Sequence, residues 1–511
     1  LSYASPGVFV LASGVAPRNR DIAFECDGTD DDVQIQAAID SLPSGGGKVM
    51  LSEGTFTISA NITFVSDFIL AGQGESTIIK APSSSLNANM LAVSSAVNDV
   101  VIRDLRVDGN SQLAANRSGI RIDTTGRQIY IQNVRVQNCV RGISAASNEI
   151  VISHCHITAN SVYGVYILNT EHLQIIECTL TMNGAAANTG NIVMDGASAA
   201  RFTRIVRNVV TGSGRTSSDS DRGILLSVST GTLEDILIQG CRVSAFPISG
   251  ITLASPDSTT VNGIRVIGNY VQNCGPTASI SGDGIFAGGA NSRGITVIGN
   301  TVLNVSDTGI AMDAPETICI GNRVSAAGSQ GIAVNADRIV CSGNYSKNNG
   351  INTTTDYTDA GISLFSSNAT NCTIVNNICE DDQGSKTQLY GIGINANATG
   401  NIIEGNQLDG NATAGILDNS SGAQTVRNNL GWVTENSGTA TINSGATSVT
   451  VTHGLAVTPT IDNIMVTMGE SPTNDPGNIW VDTITSTQFN INCRSDPGTS
   501  NLDFGWKAIV L

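Results

Sequence analysis

No stretch of this chain approaches 18 consecutive apolar residues, so no transmembrane helix and no membrane insertion are expected. No Cys-x-x-Cys pair occurs, and the 11 cysteines, an odd number, cannot all pair within one chain. The thiols are therefore expected to be reduced, which fits folding in a cytosol. Positive charge is scarce: 26 Lys and Arg face 43 Asp and Glu, a net charge of −17. That balance excludes nucleic acid as a natural partner. It also disfavours a strongly anionic polymer, which asks for basic groups along its groove. Aromatics are 4% and charged residues 14%, while glycine is abundant and 40% of residues are hydrophobic, the composition of a solenoid with a long core. The mildly apolar stretch Gly7 to Ala16 lacks a basic leader, so no signal peptide is read there. Leu1 is not an initiator Met; the sequence reads as a processed or trimmed chain with room for an upstream segment.

What is present is a repeat. Glycine followed by a branched aliphatic recurs 12 times, at Gly119, Gly142, Gly164, Gly190 (shifted by one), Gly223, Gly250, Gly284, Gly309, Gly331, Gly361, Gly391 and Gly415. The tightest spacing is 22 residues, from Gly142 to Gly164 and from Gly309 to Gly331. A period of this size means stacked repeats. Between the copies run strands such as Ile264–Asn269, Ile295–Asn300 and Ile402–Asn406, alternating in and out and ending at a Gly-Asn turn. Short strands with no helical pattern between them describe the coils of a parallel β-helix. Coils stack about 4.8 Å apart, so a dozen make a rod of roughly 55 Å.

The turns align as a column: Asn133, Cys155, Cys178, Asn208, Cys241, Asn269, Asn300, Asn322, Asn344, Asn377, Asn406 and Asn428. An Asn amide can donate to one coil and accept from the next. Cys in that column reads as a small buried residue rather than a metal or redox group. His154 and His156 flank Cys155 and read as a solvated turn, so no metal site is expected.

Near the N-terminus, Asp27-Gly-Thr-Asp-Asp-Asp-Val opens a helix that Asp30 or Asp31 can cap, with Val33, Ile35, Ala37, Ala38 and Ile39 as its apolar surface. Gly45-Gly-Gly-Lys-Val-Met-Leu and Glu53-Gly-Thr-Phe follow; Lys48 has no Ser or Thr after it, so the glycines form a turn and not a phosphate loop. This succession resembles the opening module of the pectate-lyase-like superfamily, which includes polysaccharide lyases, glycoside hydrolases, epimerases and bacteriophage tailspikes. The resemblance spans roughly residues 20–430. It implies an all-β fold: a right-handed, single-stranded parallel β-helix of 12 or more rungs, capped by the N-terminal helix. It also implies a homotrimer, a polysaccharide substrate, and a place on a virion tail or outside the cell. The domains are read as 1–100, opening module and cap; 101–430, β-helix; and 431–511, a small antiparallel β-sandwich serving trimerisation or carbohydrate binding. The sandwich follows from five or six alternating short strands after Gly431-Trp432. Its end, Phe504-Gly-Trp-Lys-Ala508, is similar to sugar-binding and trimer-forming heads of phage tail proteins. Trp480 and Trp506 are candidates to stack on a sugar, with core packing as the competing role. His453 reads as a turn residue.

Walls for a binding site need insertions. The long ones, Thr211–Arg222, Asn273–Asp283, Ser346–Ala360 and Glu380–Tyr390, all precede a Gly-Ile strand. Counting from each glycine, positions −2, 0, +2 and +4 are expected to point out. Asp221, Asp307 and Asp359 fall at −2, Asp123 and Asp313 at +4, and Asp283 at −1, while Asp219 lies within an insertion. An Asp before Gly is ordinary turn chemistry. Yet Asp219, Asp221, Asp283, Asp307 and Asp313 fall within four rungs of one sheet edge and are the candidate catalytic group. Arg222, Tyr166, Phe286, Tyr357 and Tyr390 are the candidate substrate contacts. Paired carboxylates beside aromatics suit glycoside hydrolysis, one acid protonating the leaving oxygen and the other carboxylate activating water or attacking. No cofactor is needed.

The alternative is β-elimination on a uronate polymer, with Tyr166, His172, Arg121, Arg141 and Lys347 as candidates; the resemblance then allows calcium. The Tyr-Gly-x-Asp-Pro-His motif of alginate epimerases is absent, since Tyr163-Gly-Val-Tyr and Tyr390-Gly-Ile-Gly depart after the second residue. A non-catalytic carbohydrate-binding or structural spike is the third reading.

Overall fold

The computed structural model describes residues 7–15, 24–184, 190–194, 199–212, 221–228, 231–254, 259–275, 282–289, 291–352, 356, 358–469 and 472–510. The chain winds into a right-handed parallel β-helix. The strands that follow the repeated glycines stack into one parallel sheet of 14 strands, from Ile62–Thr63 to Ala414–Asp418. We call it the Gly-Ile sheet. Its register runs Ile120, Ile143, Val165, Ile192, Ile224, Ile251, Ile285, Ile310, Ile332, Ile362, Ile392 and Ile416. At about 4.8 Å per step, 14 strands span roughly 60 Å. The strands between the glycines form a longer parallel sheet around the rest of the coil. Inward Ile, Val and Leu from every rung make one continuous core.

The glycine column has a steric cause. A methyl group on Gly284 would lie 2.2 Å from Val302 Cγ1 and 2.6 Å from the Gly309 carbonyl oxygen. Gly223, Gly250 and Gly309 meet Val243, Val271 and Val324 in the same way, at 2.2–2.4 Å. The backbone turns a corner at each glycine and fills the space a Cβ would need. The expected outward direction at position 0 is therefore wrong: a side chain there would enter the core. The alternation also fails at −2, where Asp221 and Asp359 are buried, with 3% and 0% exposure. Period two belongs to a strand, and the corner interrupts it.

The Asn column is a hydrogen-bonded ladder. Asn300 Oδ1 accepts from the backbone N–H and the amide of Asn269, at 2.9 and 3.0 Å, while Asn300 Nδ2 donates to the Val266 carbonyl at 2.9 Å. Asn322, Asn344, Asn377 and Asn406 repeat the pattern. Two members of the expected column are off by one. Asn133 and Asn428 hold left-handed φ angles of 52° and 56°, the role glycine has at Gly268 or Gly299. The ladder positions are Val134, which is buried, and Asn429, whose Oδ1 receives the Asn406 amide. The cysteines are buried and free. Desolvation pushes the Cys139 and Cys274 thiols up to about 12.

Helix Asp32–Asp40 covers the start of the core with Ile35, Ala38 and Ile39, while Val33 faces solvent, 60% exposed. Asp31 stands at its N-cap but makes no cap bond there; its carboxylate accepts from the Gly28 and Thr57 N–H groups at 2.9 and 2.7 Å, tying the cap to the first coils.

Six antiparallel strands follow the rod. Glu435–Ile442, Leu502–Ile509 and Ile464–Met468 form one three-stranded sheet, and Ser448–Thr452, Gln488–Cys493 and Ile479–Asp482 the other. Ile442, Phe489, Ile491, Leu502, Phe504 and Trp506 fill the space between them. Trp506 packs edge-on against Phe489 at 5.7 Å between centroids and is a core residue, not a sugar platform. Trp480 is the opposite case, 44% exposed, with its indole N–H donated to Asp482 at 3.1 Å. His453 is buried and locks its turn: Nδ1 accepts from the Leu455 N–H at 3.0 Å, and Nε2 bonds the Thr485 carbonyl at 3.1 Å.

Candidate functional site

The corners decide where the outward side chains go. Residues at −1 lean across the outer face of the Gly-Ile sheet toward position +2 of the next rung. Ser118 Oγ lies 2.8 Å from Ser144 Oγ, and Arg141 Cζ lies 4.5 Å from the Tyr166 ring centre. By register, Ala311 is the +2 residue on the rung after Asp283, and Thr252 that on the rung after Arg222.

Asp283 is the chemically distinctive group. Its carboxyl is pushed from the ordinary 3.8 up to about 7, first by burial and then by the charge of Asp307; the charge of Asp313 adds to this, while the Thr308 N–H and Arg222 oppose it. Burial disfavours the ionised form and like charges do the same. The Thr308 N–H donates to Asp283 Oδ1 at 3.3 Å. Asp307, half-buried, sits on the adjacent rung, where its N–H bonds the Gly282 carbonyl at 3.4 Å. Asp313 is half-buried, accepts a hydrogen bond from the Asn335 amide, and is raised mainly by burial.

Phe286 lies on the sheet floor between these acids, half-exposed. Gly288 makes this possible: a methyl group there would lie 2.4 Å from Asp313 Cβ and 3.0 Å from Phe286 Cζ. Thr252 Oγ1, Ser363 Oγ and Asn335 Oδ1 are buried without a hydrogen-bond partner. Such groups carry a desolvation cost until a ligand pairs them. Thr252 and Ser363 occupy +2 positions of the same sheet, and Asn335 is beside Asp313.

Of the expected catalytic group, Asp283, Asp307 and Asp313 are thus brought together, with Arg222 half-buried alongside. Asp221 is buried, whereas Asp307, at the same −2 position before its glycine, is only half-buried. Asp219 and Tyr357 lie outside the described residues. Tyr166 and Tyr390 are half-buried on the Gly-Ile sheet, on strands that lie to either side of the Asp283 rung. Among the described residues no group of three or more His, Cys, Asp and Glu is placed to hold a metal ion. His154 instead pairs with Glu177 at 2.8 Å. Of the insertions, Glu380–Tyr390 is fully described. Asp381 closes it, Oδ2 accepting from the Thr387 and Gln388 N–H groups at 2.8 Å.

The five residues considered for elimination separate. Lys347 pairs with Asp382 on the longer sheet, and His172 stacks on Phe202 at 4.7 Å. Arg121, Arg141 and Tyr166 do gather on the Gly-Ile sheet, several rungs from Asp283. Sequence spacing does not disclose that gathering, because it depends on the lean of −1 toward +2.

A family model described as a right handed beta helix region matches residues 49–204. The tailspike protein of E. coli bacteriophage HK620, solved in complex with a pentasaccharide, superposes with a TM-score of 0.53 at 14% identity, covering 94% of this chain and 90% of that one. A single-site mutant of the same tailspike, also with pentasaccharide, gives 0.52 at 15% identity over the same shares. The Azotobacter vinelandii mannuronan C-5 epimerase AlgE4 A-module gives 0.46 at 14% identity, covering 79% of this chain and 96% of that one. No curated protein matches. The likeness is one of fold, and among the described residues no helix is long and apolar enough to cross a membrane.

Proposed function

We propose that this protein is a polysaccharide-cleaving glycoside hydrolase, working along the outer face of the Gly-Ile sheet. The observation that carries the reading is the Asp283 carboxyl, held protonated to about pH 7 beside the charge of Asp307 and on the same rung as the half-exposed Phe286. A carboxyl held protonated beside a second carboxyl group is what acid–base cleavage of a glycoside needs. Asp283 gives its proton to the departing glycosidic oxygen. Asp307 activates water or attacks the anomeric carbon. Asp313, oriented by Asn335, adds negative charge where the oxocarbenium ion develops. The sugar ring stacks on Phe286, and Tyr166 and Tyr390 extend the contact along the groove. The unpartnered Thr252, Ser363 and Asn335 oxygens pair with sugar hydroxyls.

The fold-mate solved with a pentasaccharide supports a saccharide ligand. A tailspike-like setting, on a virion tail or outside the cell, follows from the same likeness, with folding in a reducing cytosol before assembly. Residues 1–100 serve as opening module and cap, 101–430 as the binding rod, and 431–511 as the head. Trp480 offers a second sugar contact there. We assign a homotrimer to an aliphatic patch on the longer sheet, where Ile318, Ile320 and Val340 are 36–39% exposed on neighbouring rungs and Ile402, two rungs beyond Val340, is 39% exposed. An apolar patch of this kind marks an interaction surface.

The test is release of reducing ends from a panel of bacterial and plant polysaccharides, without new absorbance at 235 nm. Asp283→Asn and Asp307→Asn should each lower the rate about 10²–10⁴-fold. Undiminished cleavage by both variants would overturn the site. The second reading, elimination, is favoured by the gathering of Arg121, Arg141 and Tyr166 and would show itself as absorbance at 235 nm. If no polymer of the panel is cut, the binding-spike reading takes its place.

A further inference from the structure

The Gly-Ile sheet carries a second cluster of opposite charge toward its N-terminal end. The rings of Tyr163 and Tyr166 stack, 4.7 Å between centroids and 8° between planes. Arg141 lies 4.5 Å from the Tyr166 ring centre and 5.7 Å from that of Tyr163. Its Nη2 donates to Asn116 Oδ1 at 2.9 Å, while its Nε is buried with no acceptor. On the rung before, Arg117 gives both Nε and Nη2 to the single oxygen Asn87 Oδ1, at 3.2 and 3.1 Å. Nearby Arg121 pairs with Asp123 at 2.7 Å. Among the described residues, neither Arg117 nor Arg141 has a carboxylate partner.

In a chain with a net charge of −17, two guanidinium groups bonded only to asparagine, one opening strand Arg141–Ala146 and the other just before its neighbour Ser118–Thr124, are conspicuous. A buried N–H without an acceptor is costly unless a ligand supplies one. The planar guanidinium fork is matched by a carboxylate, which also meets its charge. Stacked tyrosines give the flat wall on which a sugar ring lies. Tyr166 and the rung of Asp283 are separated by four strand pairings, from Tyr163–Ile167 to Ile285–Ala287, which is roughly 19 Å at about 4.8 Å each. That is a span of several sugar residues. The carboxylates at the cleavage end would repel a polymer charged at every unit.

We infer that Arg141, Arg117 and the Tyr163–Tyr166 stack form a subsite for a carboxylate-bearing sugar. The substrate is then a sparsely acidic polysaccharide, with one such sugar held several units from the bond that is cut. This inference rests on the hydrolase reading for the position of the cut, though not for the binding itself.

The experiment compares a panel of bacterial surface polysaccharides, each as isolated and after chemical reduction of its carboxyl groups to alcohols. Retention on the immobilised protein, reducing ends and absorbance at 235 nm are all recorded, for wild type, Arg141→Gln and Arg141→Lys. The polymers bound best should be the acidic ones. Carboxyl reduction should weaken binding about 10- to 100-fold, the scale of a lost charged hydrogen bond. Arg141→Gln should weaken the native polymer by a similar factor, leave the reduced polymer unchanged, and act on KM more than on kcat. Arg141→Lys should recover part of the loss. If reducing ends appear but binding is indifferent to carboxyl reduction, the subsite falls and the hydrolase stands. If acidic polymers are retained in this Arg141-dependent way but none is cut, the hydrolase falls and the subsite stands. Absorbance at 235 nm lost in Arg141→Gln would make Arg141 part of an elimination centre and overturn both, as would a panel with no polymer bound.

Discussion

Replacing Asp283 by Asn should make the protein more stable and less active at once. The folded carboxyl is raised from 3.8 to about 7. An acid whose pKa is raised by folding favours the folded state when protonated. The contribution of Asp283 to stability is therefore greatest below about pH 4, falls as pH rises through the window from 4 to 7, and is level above it. Three units at 1.36 kcal/mol each set a ceiling of about 4 kcal/mol. Asp283 retains some exposure, so water screens part of this and the working figure is about 2–3 kcal/mol. Asn is neutral throughout and keeps an oxygen for the Thr308 N–H. Denaturant unfolding should show wild type and Asp283→Asn alike at pH 4 and the variant ahead by about 2–3 kcal/mol at pH 8. Wild-type cleavage should decline above about pH 7, as the proton donor ionises, and the variant should lack that limb. A variant that is equal to or weaker than wild type at pH 8 would refute the reasoning, because burial of a charge would then not be the cause of the shift.

Two further outcomes follow from the same structure. Ile320→Lys places a charge in the exposed aliphatic patch and should convert a sedimenting trimer to a monomer with an unchanged circular-dichroism spectrum; a monomeric wild type would remove the assignment. Asn322→Ala leaves the buried Asn300 N–H and the Val297 carbonyl without partners, and should lower unfolding stability by about 2–4 kcal/mol, read from denaturant curves, with a loss under 1 kcal/mol counting against the ladder.

The repeat was legible because its glycines have a steric cause that acts at every rung: each stands where the next coil's valine or backbone already is. What the same glycines hide is the corner. Alternation counted through Gly223 or Gly361 puts Asp221 and Asp359 outside, whereas both are buried. Asn served two chemistries in neighbouring positions, the left-handed turn at Asn428 and the ladder at Asn429, and residue type alone does not separate them. Trp480 and Trp506 lie in similar alternating strands. Their phase differs: Trp506 alternates in step with buried Leu502, Phe504 and Ala508, its ring lying over Gly438, whereas Trp480 is in step with exposed Asp482. The carboxylate group was reached from the sequence through the insertions, while the Arg141–Tyr166 contact was not, since the lean of one rung onto the next has no sequence signature.

The ladder and the site are parts of one arrangement. A cluster of carboxylates that raises one of its members to about 7 is a destabilising feature, and it persists only where the surrounding backbone is over-determined. Here Asp283 and Asp307 stand just before strands Ile285–Ala287 and Ile310–Met312, which pair on consecutive rungs, and the Asn269–Asn300–Asn322 bonds tie the same coils together. The pairing of those strands limits how far the two acids can part. Burial first, and the nearby charge of Asp307 second, keep Asp283 protonated at the pH where a general acid is useful.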